Sequence, residues 1–324
     1  MCPNAQASPR VSASAPLDTR EQALENSQTW DRIALSFEVI PPRAGKAGDL
    51  EAIDEVLETI DSYQPDYVCV TSSRSSGWLE GTTSVISRIT ETTRLRTVAH
   101  LACTAGNREE IIRGINELLD VGVRGILALR GDLPEDTTRL PEDDLQHATD
   151  LITLIRQMEA RQAARFAGGS LAVGVACYPS GHAESKTADE DIDVLLAKQR
   201  LGANFAITQM FFDPSDYSTF VETARLAGVH IPLIPGIMPM TSVPRLRRMG
   251  KLAGLSVPDH LISALDEANR HGGAEAEHDV GMDLTADLAR QCLEAGAGGL
   301  HIYTHNKADV TSDLLSRVGI QSKN

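Results

Sequence analysis

The chain is 324 residues long, 42% hydrophobic, and carries 45 acidic against 30 basic side chains, for a formal charge of −15. Such a field repels nucleic acid and anionic membrane surfaces, so neither is expected as a partner. No apolar run approaches the roughly 20 residues that a membrane-spanning helix needs. The length suits one large α/β barrel or two smaller domains.

Residues 1–29 are rich in Ser, Ala, Gln and Pro and contain no apolar segment, unlike a secretory signal. They are expected to form a flexible extension, helical at most over Arg20 to Glu25. Residues 30–324 are expected to be a single domain. The five cysteines, Cys2, Cys69, Cys103, Cys177 and Cys292, include no C-x-x-C pair. An odd number of scattered thiols fits a reducing compartment, and a cytoplasmic location is expected. Small buried hydrophobes are their default reading.

From Ile33 onward, strand and helix patterns alternate. The first strand, Ile33–Val39, is stopped by Pro41-Pro42, because proline lacks a ladder N–H and fixes φ. Glu38 is thereby held at the strand's C-terminal end, a candidate general acid or base unless it simply pairs with Arg43. Further strands are expected at Tyr67–Thr71, Thr97–Leu101, Gly125–Leu129, Leu171–Cys177, Phe205–Gln209, Pro232–Gly236 and Gly299–Tyr303. Between them, apolar residues recur at helical spacing, as in Leu50, Ile53, Leu57 and Ile60, or Leu151, Ile152, Ile155 and Met158. Thr187 with Glu190, and Asp213 followed by Pro214, supply helix-start signals. Val257–Ala295 is expected to form two or more helices inserted before the last strand.

Short, apolar, β-branched strands alternating with helices indicate a parallel sheet covered by helices. Eight such units in about 290 residues give an α/β fold of the (β/α)8 TIM-type barrel class, with extra helices before the last strand. A doubly wound open sheet is the alternative. Polar groups just after most strands favour the barrel, whose loops on one face build one site.

The chain has no G-x-G-x-x-G after a strand, no G-x-x-x-x-G-K-[ST], no G-x-S-x-G and no H-E-x-x-H. A Rossmann-type site and a phosphate-cradling loop are therefore not expected. His301 and His305, four apart along a strand end, would lie roughly 13 Å apart, so no metal site is expected. What remains is a ring of strand-end groups: Glu38; Thr71; His100; Arg130-Gly131-Asp132; Tyr178 to His182; Thr208 to Asp213; and Tyr303 to Lys307. Each has a dull alternative: Arg130 with Asp132 as a local ion pair, His100 as a core histidine, Gln209 as a buried hydrogen bonder.

Ser36–Arg43, Leu127–Leu133, Tyr178–Glu184, Ile207–Asp213, Ile234–Pro239 and Gly299–Asn306, in that order, resemble the bacterial methylenetetrahydrofolate reductases. The resemblance runs from about residue 33 to 318. It implies a (β/α)8 barrel carrying FAD non-covalently and reducing 5,10-methylenetetrahydrofolate to 5-methyltetrahydrofolate with NADH or NADPH, a step of one-carbon metabolism that feeds methionine biosynthesis. It further implies that residues 30–324 are the catalytic domain and that the protein self-associates into a homo-oligomer. By this resemblance Thr71, His100, Arg130, Gly131, Asp132, Ala148, Tyr178, His182, Asp191 and Lys198 bind FAD. Arg130 and Lys198 would suit its pyrophosphate. Asp132 would tune the flavin ring as a second catalytic group. Glu38 would be the general acid that protonates N10 and opens the folate's five-membered ring, with desolvation raising its pKa. Gln209 and Lys307 would bind substrate. The eukaryotic members' additional regulatory region finds no counterpart, so no inhibition by S-adenosylmethionine is expected.

The chain departs from the family pattern in places. Ser72-Ser73-Arg74-Ser75-Ser76-Gly77-Trp78 replaces a glycine-rich loop, limiting close backbone approach to a ligand. His305 stands for a usual leucine and Lys307 for an arginine, and Met249, with Arg245 nearby, stands where an aromatic is common. The altered loop keeps two alternatives open: a flavin-independent reductase of the same fold, and a non-catalytic folate-binding partner subunit.

Overall fold

Alternating strands and amphipathic helices wrap into a parallel barrel in which one proline splits the seventh stave. The computed structural model describes residues 33–43, 46, 48–72, 77–133, 137 and 139–323; the N-terminal extension with Cys2, and Ser73–Ser76 with Arg74, lie outside them. The strands are β1 (Ala34–Val39), β2 (Tyr67–Val70), β3 (Thr97–Ala102), β4 (Gly125–Leu129), β5 (Ala172–Cys177), β6 (Phe205–Thr208), β7 (Leu233–Ile234), β8 (Gly236–Ile237) and β9 (Gly299–Tyr303). All pairings are parallel, in the order β7-β6-β5-β4-β3-β2-β1-β9-β8.

The expected seventh strand is split in two by Pro235. β7 pairs backward with β6 through Ala206 and Leu233, while β8 pairs forward with β9 through Gly236 and His301. Pro235 has no N–H to offer, but its carbonyl accepts from His301 N at 3.0 Å. Two half-strands thus serve as one stave and close an eight-stave barrel. The barrel expectation holds, and the open sheet does not.

The helices are α1 (Asp49–Asp61), α2 (Leu79–Thr92), α3 (Arg108–Asp120), α4 (Ala148–Arg161), α5 (Ala188–Arg200), α6 (Pro214–Leu226), α7 (Val243–Ala253), α8 (Asp259–Glu294) and α9 (Ala308–Val318). Thr187 and Asp213 cap α5 and α6 through side-chain oxygens, as their sequence positions predict. Along β1, Phe37 and Val39 are fully buried, while Ser36 and Glu38 alternate onto the opposite, interior face. Cys69, Val98, Leu127, Phe205, Ile207 and Ile234 form one apolar cluster. The four cysteines among the described residues are buried and free. Two lie in strands; Cys103 sits in a short 3-10 turn after β3, and Cys292 in α8. No helix among the described residues is long and apolar enough to cross a membrane.

The expected helical insertion is α8, bent at Gly273, where φ is 73°. It fastens the loop leading into α7. The buried Glu277 carboxylate accepts from Val243 N at 2.7 Å, supplying the N-terminal cap that Ser242 does not. Thr285 Oγ1 accepts from Met240 N at 3.0 Å and donates to Gly281 O at 2.7 Å. Gly281 lies so close to the Met240 carbonyl that a Cβ there would overlap it. Gly281→Ala is therefore expected to lower stability by about 1–3 kcal/mol, the usual cost of overpacking. A urea-denaturation midpoint equal to wild type would contradict this contact.

Candidate active site

The C-terminal ends of the strands surround a cavity of about 850 Å³, lined by Glu38, Trp78, His100, Arg130, Gly131, Asp132, Tyr178, Gln209, His301 and Tyr303 among others. Glu38 is placed by β1 and held there by β9. Thr304 Oγ1 donates to Glu38 O at 2.6 Å, and the Asn306 side chain spans Ile40, accepting from its N at 2.9 Å and donating to its O at 2.7 Å. The pairing of Glu38 with Arg43 does not form: Arg43 is bound to Asp49 at 2.8 Å. Instead the Glu38 carboxylate faces two histidines, His100 Nε2 at 3.5 Å and His301 Nε2 at 3.8 Å. His301 Nδ1 meets Ser36 Oγ at 2.9 Å.

Burial is the largest single influence on Glu38 and pushes its pKa up. The His301 side chain and positive charge on His100, His301 and His305 together outweigh it, so the carboxyl lies below its ordinary value. This corrects the expectation that desolvation decides the matter. Burial also depresses His100. His305, half-buried after β9 and within electrostatic reach of Arg245, is driven down to about 4.

A second cavity of about 390 Å³ adjoins the first and shares Leu129, Arg130, Ala176, Tyr178 and His182 with it. Its far end is lined by Ala148, Asp191 and Lys198. Asp191 accepts from His182 N at 3.0 Å and from Ser185 Oγ at 2.7 Å. Lys198 is buried, donates to Ala176 O at 2.9 Å, and has its pKa lowered by that burial. Arg130 does not pair with Asp132. Its guanidinium grips Glu184 at 2.5 and 2.8 Å, and each group stabilises the other's charged form. Gly131 has φ of 83°, and a Cβ there would strike Thr104 and Ala102. The Oγ1 of Thr104 and the Nε2 atoms of His100 and His301 are buried without hydrogen-bond partners.

Of the residues singled out in the sequence, Glu38, His100, Arg130, Gly131, Asp132, Tyr178, His182 and Gln209 line the large cavity, and Ala148, Asp191 and Lys198 line the smaller one. Gln209 Oε1 accepts from Met210 N at 2.9 Å. Thr71 lines neither; its carbonyl accepts from Thr82 Oγ1 at 2.9 Å. Lys307 lines a separate cleft beside Glu55 and Glu58. The sequence reading weighed His301 only as a metal ligand and missed its contact with Glu38, along with Ser36 behind it. Period-two alternation in β9, with His301 and Tyr303 on one face, carried that signal.

A family model described as methylenetetrahydrofolate reductase matches residues 22–319. The 5,10-methylenetetrahydrofolate reductase of Pectobacterium carotovorum subsp. carotovorum is 30% identical over 304 residues, which cover 93% of this chain and 96% of that protein. The protein of the same name from Escherichia coli (strain K12) is 29% identical over 304 residues, covering 94% and 96%. Among solved structures, an uncharacterised protein from Clostridium thermocellum that binds two copies of 5-methyl-5,6,7,8-tetrahydrofolic acid matches with a TM-score of 0.58 at 13% identity. The match covers 91% of this chain and 99% of that one, a likeness of fold.

The depressed His305 has a consequence for stability. Its folded pKa, about 4, lies below the ordinary 6.5, so between those values the unfolded chain takes up a proton that the folded chain refuses. The neutral histidine costs nothing above pH 6.5, and stability is lost as pH falls from there toward 4. His305→Leu is expected to remove about 1–3 kcal/mol of that acid loss. Wild-type and variant urea midpoints that fall in parallel across this window would contradict the assignment.

Proposed function

Because the chain belongs to the methylenetetrahydrofolate reductase family, we propose that it reduces 5,10-methylenetetrahydrofolate to 5-methyltetrahydrofolate with electrons from NADH or NADPH, using FAD held across the two adjoining cavities. The observation that carries this reading is the carboxylate of Glu38 at the barrel's seam, facing His100 and His301 inside a cavity of about 850 Å³.

The residues fit an FAD. Gly131 leaves the backbone open where a side chain would strike Thr104, and the unpartnered polar atoms of Thr104 and His100 belong to the cavity-lining shell. Tyr178 and His182 border both cavities. Arg130, Ala148, Asp191 and Lys198 would hold the nucleotide portion and Asp132 would border the flavin ring, Arg130 and Lys198 supplying charge to the pyrophosphate. When bound, FAD supplies hydride transfer between the dinucleotide and the folate.

The protein's own part in the chemistry is a proton. Glu38 protonates N10 of the folate, which opens the ring and leaves an iminium at N5 as the hydride acceptor. One tautomer of the Glu38 cluster would favour the carboxyl's holding that proton. If His301 carries its proton on Nδ1 and donates it to Ser36 Oγ, the Ser36 hydroxyl donates onward to Leu300 O at 3.3 Å. Nε2 is then a bare acceptor toward Glu38, which favours the carboxylic acid over the carboxylate. A ligand covering the cavity strengthens the desolvation that already pushes the carboxyl up. Gln209 would contribute a hydrogen bond to the pterin. Lys307, in its separate cleft, would reach only the substrate's outer end.

A second reading, direct hydride transfer from nicotinamide without flavin, is favoured by one feature: the two cations suited to a pyrophosphate are already engaged, Arg130 by Glu184 and Lys198 by Ala176 O.

Glu38→Gln keeps size and hydrogen bonding but removes the proton donor. Methylenetetrahydrofolate reduction is expected to fall by at least about 10²-fold, the usual worth of a general acid, while oxidation of NAD(P)H by the enzyme survives. Stopped-flow measurement of the two half-reactions decides it, and equal loss of both would contradict the role of Glu38.

A further inference from the structure

We propose that Trp78 is an aromatic platform inside the large cavity, stacking on a planar ring of the folate or of the nicotinamide dinucleotide beside Glu38. The inference rests on the reductase reading above and adds a binding surface to it.

Trp78 immediately precedes α2 with φ of 53° and ψ of −121°. That is the conformation of the first central residue of a type II′ turn, a place where glycine is at home and a Cβ is strained. Among the described residues, Gln64, His305 and Asn306 are the other non-glycines with positive φ, and of the four only Trp78 lines the large cavity. The backbone is held there from two sides. The Trp78 carbonyl accepts from Thr82 N at 3.2 Å and from Thr82 Oγ1 at 3.1 Å. The same hydroxyl, on a fully buried residue, also donates to Thr71 O at 2.9 Å, which ties the turn to the end of β2. Leu79, next in the chain, packs against Gly114 of α3, where a Cβ would come within 3.0 Å of it. The Trp78 side chain makes no capping bond to α2. Glycine would make this turn without strain, so the indole is accounted for by what its ring can touch.

The indole is half-buried, lines the cavity with Ser72, and is no part of the apolar cluster inside the barrel. Among the described residues no aromatic ring packs against it. The cavity's two tyrosines are engaged. Tyr178 lies edge-on to His182 with ring centroids 4.5 Å apart. Tyr303 lies edge-on to His301 at 5.3 Å, and its hydroxyl donates to Thr208 O at 2.8 Å. Trp78 is thus the aromatic face left for a ligand. β2 runs between β1 and β3, so the loop after it enters the cavity beside Glu38 and His100, which approach to 3.5 Å. Arg130 and Lys198, proposed for the FAD pyrophosphate, lie farther round the barrel, after β4 and on α5. The ring within reach of Trp78 is therefore that of the reacting substrate. A flat conjugated ring gains from stacking on indole and from shedding water on both faces, and folate and nicotinamide dinucleotide each carry one.

Equilibrium binding of 5-methyltetrahydrofolate and of NADH, measured anaerobically with any bound flavin already reduced, would be compared for wild type, Trp78→Phe, Trp78→Leu and Trp78→Gly, alongside melting temperature. Trp78→Leu, apolar but without a π face, is expected to weaken at least one ligand by about fivefold or more, the scale of one ring stacked on an aromatic side chain. Trp78→Phe is expected to restore most of that loss. Trp78→Gly is expected to bind as weakly as Trp78→Leu yet melt no lower than wild type, because relief of the strained turn offsets the lost packing. Loss confined to the folate identifies its rings, loss confined to NADH those of the dinucleotide, and loss of both a platform that the two substrates use in turn. If Trp78→Leu binds both ligands as wild type does, if Trp78→Phe is as weak as Trp78→Leu, or if weakened binding simply follows a lowered melting temperature, the platform is wrong. A fall in FAD content with substrate affinities unchanged would assign the indole to the flavin and contradict the proposal as well. Wild-type protein that binds neither ligand would overturn the reductase reading and the platform with it.

Discussion

A parallel barrel closes only where its first and last staves meet, and in this protein that seam also holds the carboxylate proposed as the proton donor. β1 lies against β9 in register from Ala34 with Gly299 to Glu38 with Tyr303. Beyond the paired residues the seam continues in side-chain bonds, Thr304 to Glu38 O and Asn306 to Ile40. Glu38 cannot drift from His301 without breaking the ladder that closes the fold. Stability of the barrel and placement of the Glu38 carboxylate are one constraint.

The seam concentrates charge that burial disfavours. His100, His301 and His305 all bear on Glu38, and none of the four has an ordinary surface environment. Desolvation favours neutral forms of all of them. A protonated carboxylic acid beside neutral imidazoles is one such arrangement; a carboxylate beside an imidazolium is the other. The balance between them is what a ligand over the cavity would move. The Arg130–Glu184 pair, on the opposite side of the cavity, shows the alternative solution, a charge-assisted pair open to solvent.

Much of this was legible in the sequence. Strand-helix alternation, the double proline after β1 and the helix caps at Thr187 and Asp213 specify local structure strongly enough to count eight staves. The split at Pro235 was not legible, because a five-residue apolar run looks the same whether it pairs with two neighbours along its whole length or with each in turn. Glu38 stood out by its place at a strand end. Its partners did not: His301 lies 263 positions away along the chain, and only barrel closure makes them neighbours. The sign of the Glu38 shift was likewise hidden, since burial can be guessed from a strand pattern but the arrangement of three histidines cannot. Glu184 as the partner of Arg130, rather than Asp132, is the same lesson: the near residue in sequence lost to one carried in by the next loop.

The most direct test of the account is the visible absorption spectrum of freshly purified protein, followed anaerobically as NADH and then methylenetetrahydrofolate are added. Flavin bands that bleach with NADH and return with the folate are the predicted result. They would mean that Arg130 and Lys198 yield their present partners to a cofactor. A colourless protein that still reduces the folate with NADH, and gains no colour from added FAD, would contradict the flavin-based account and leave Glu38 serving a direct hydride transfer.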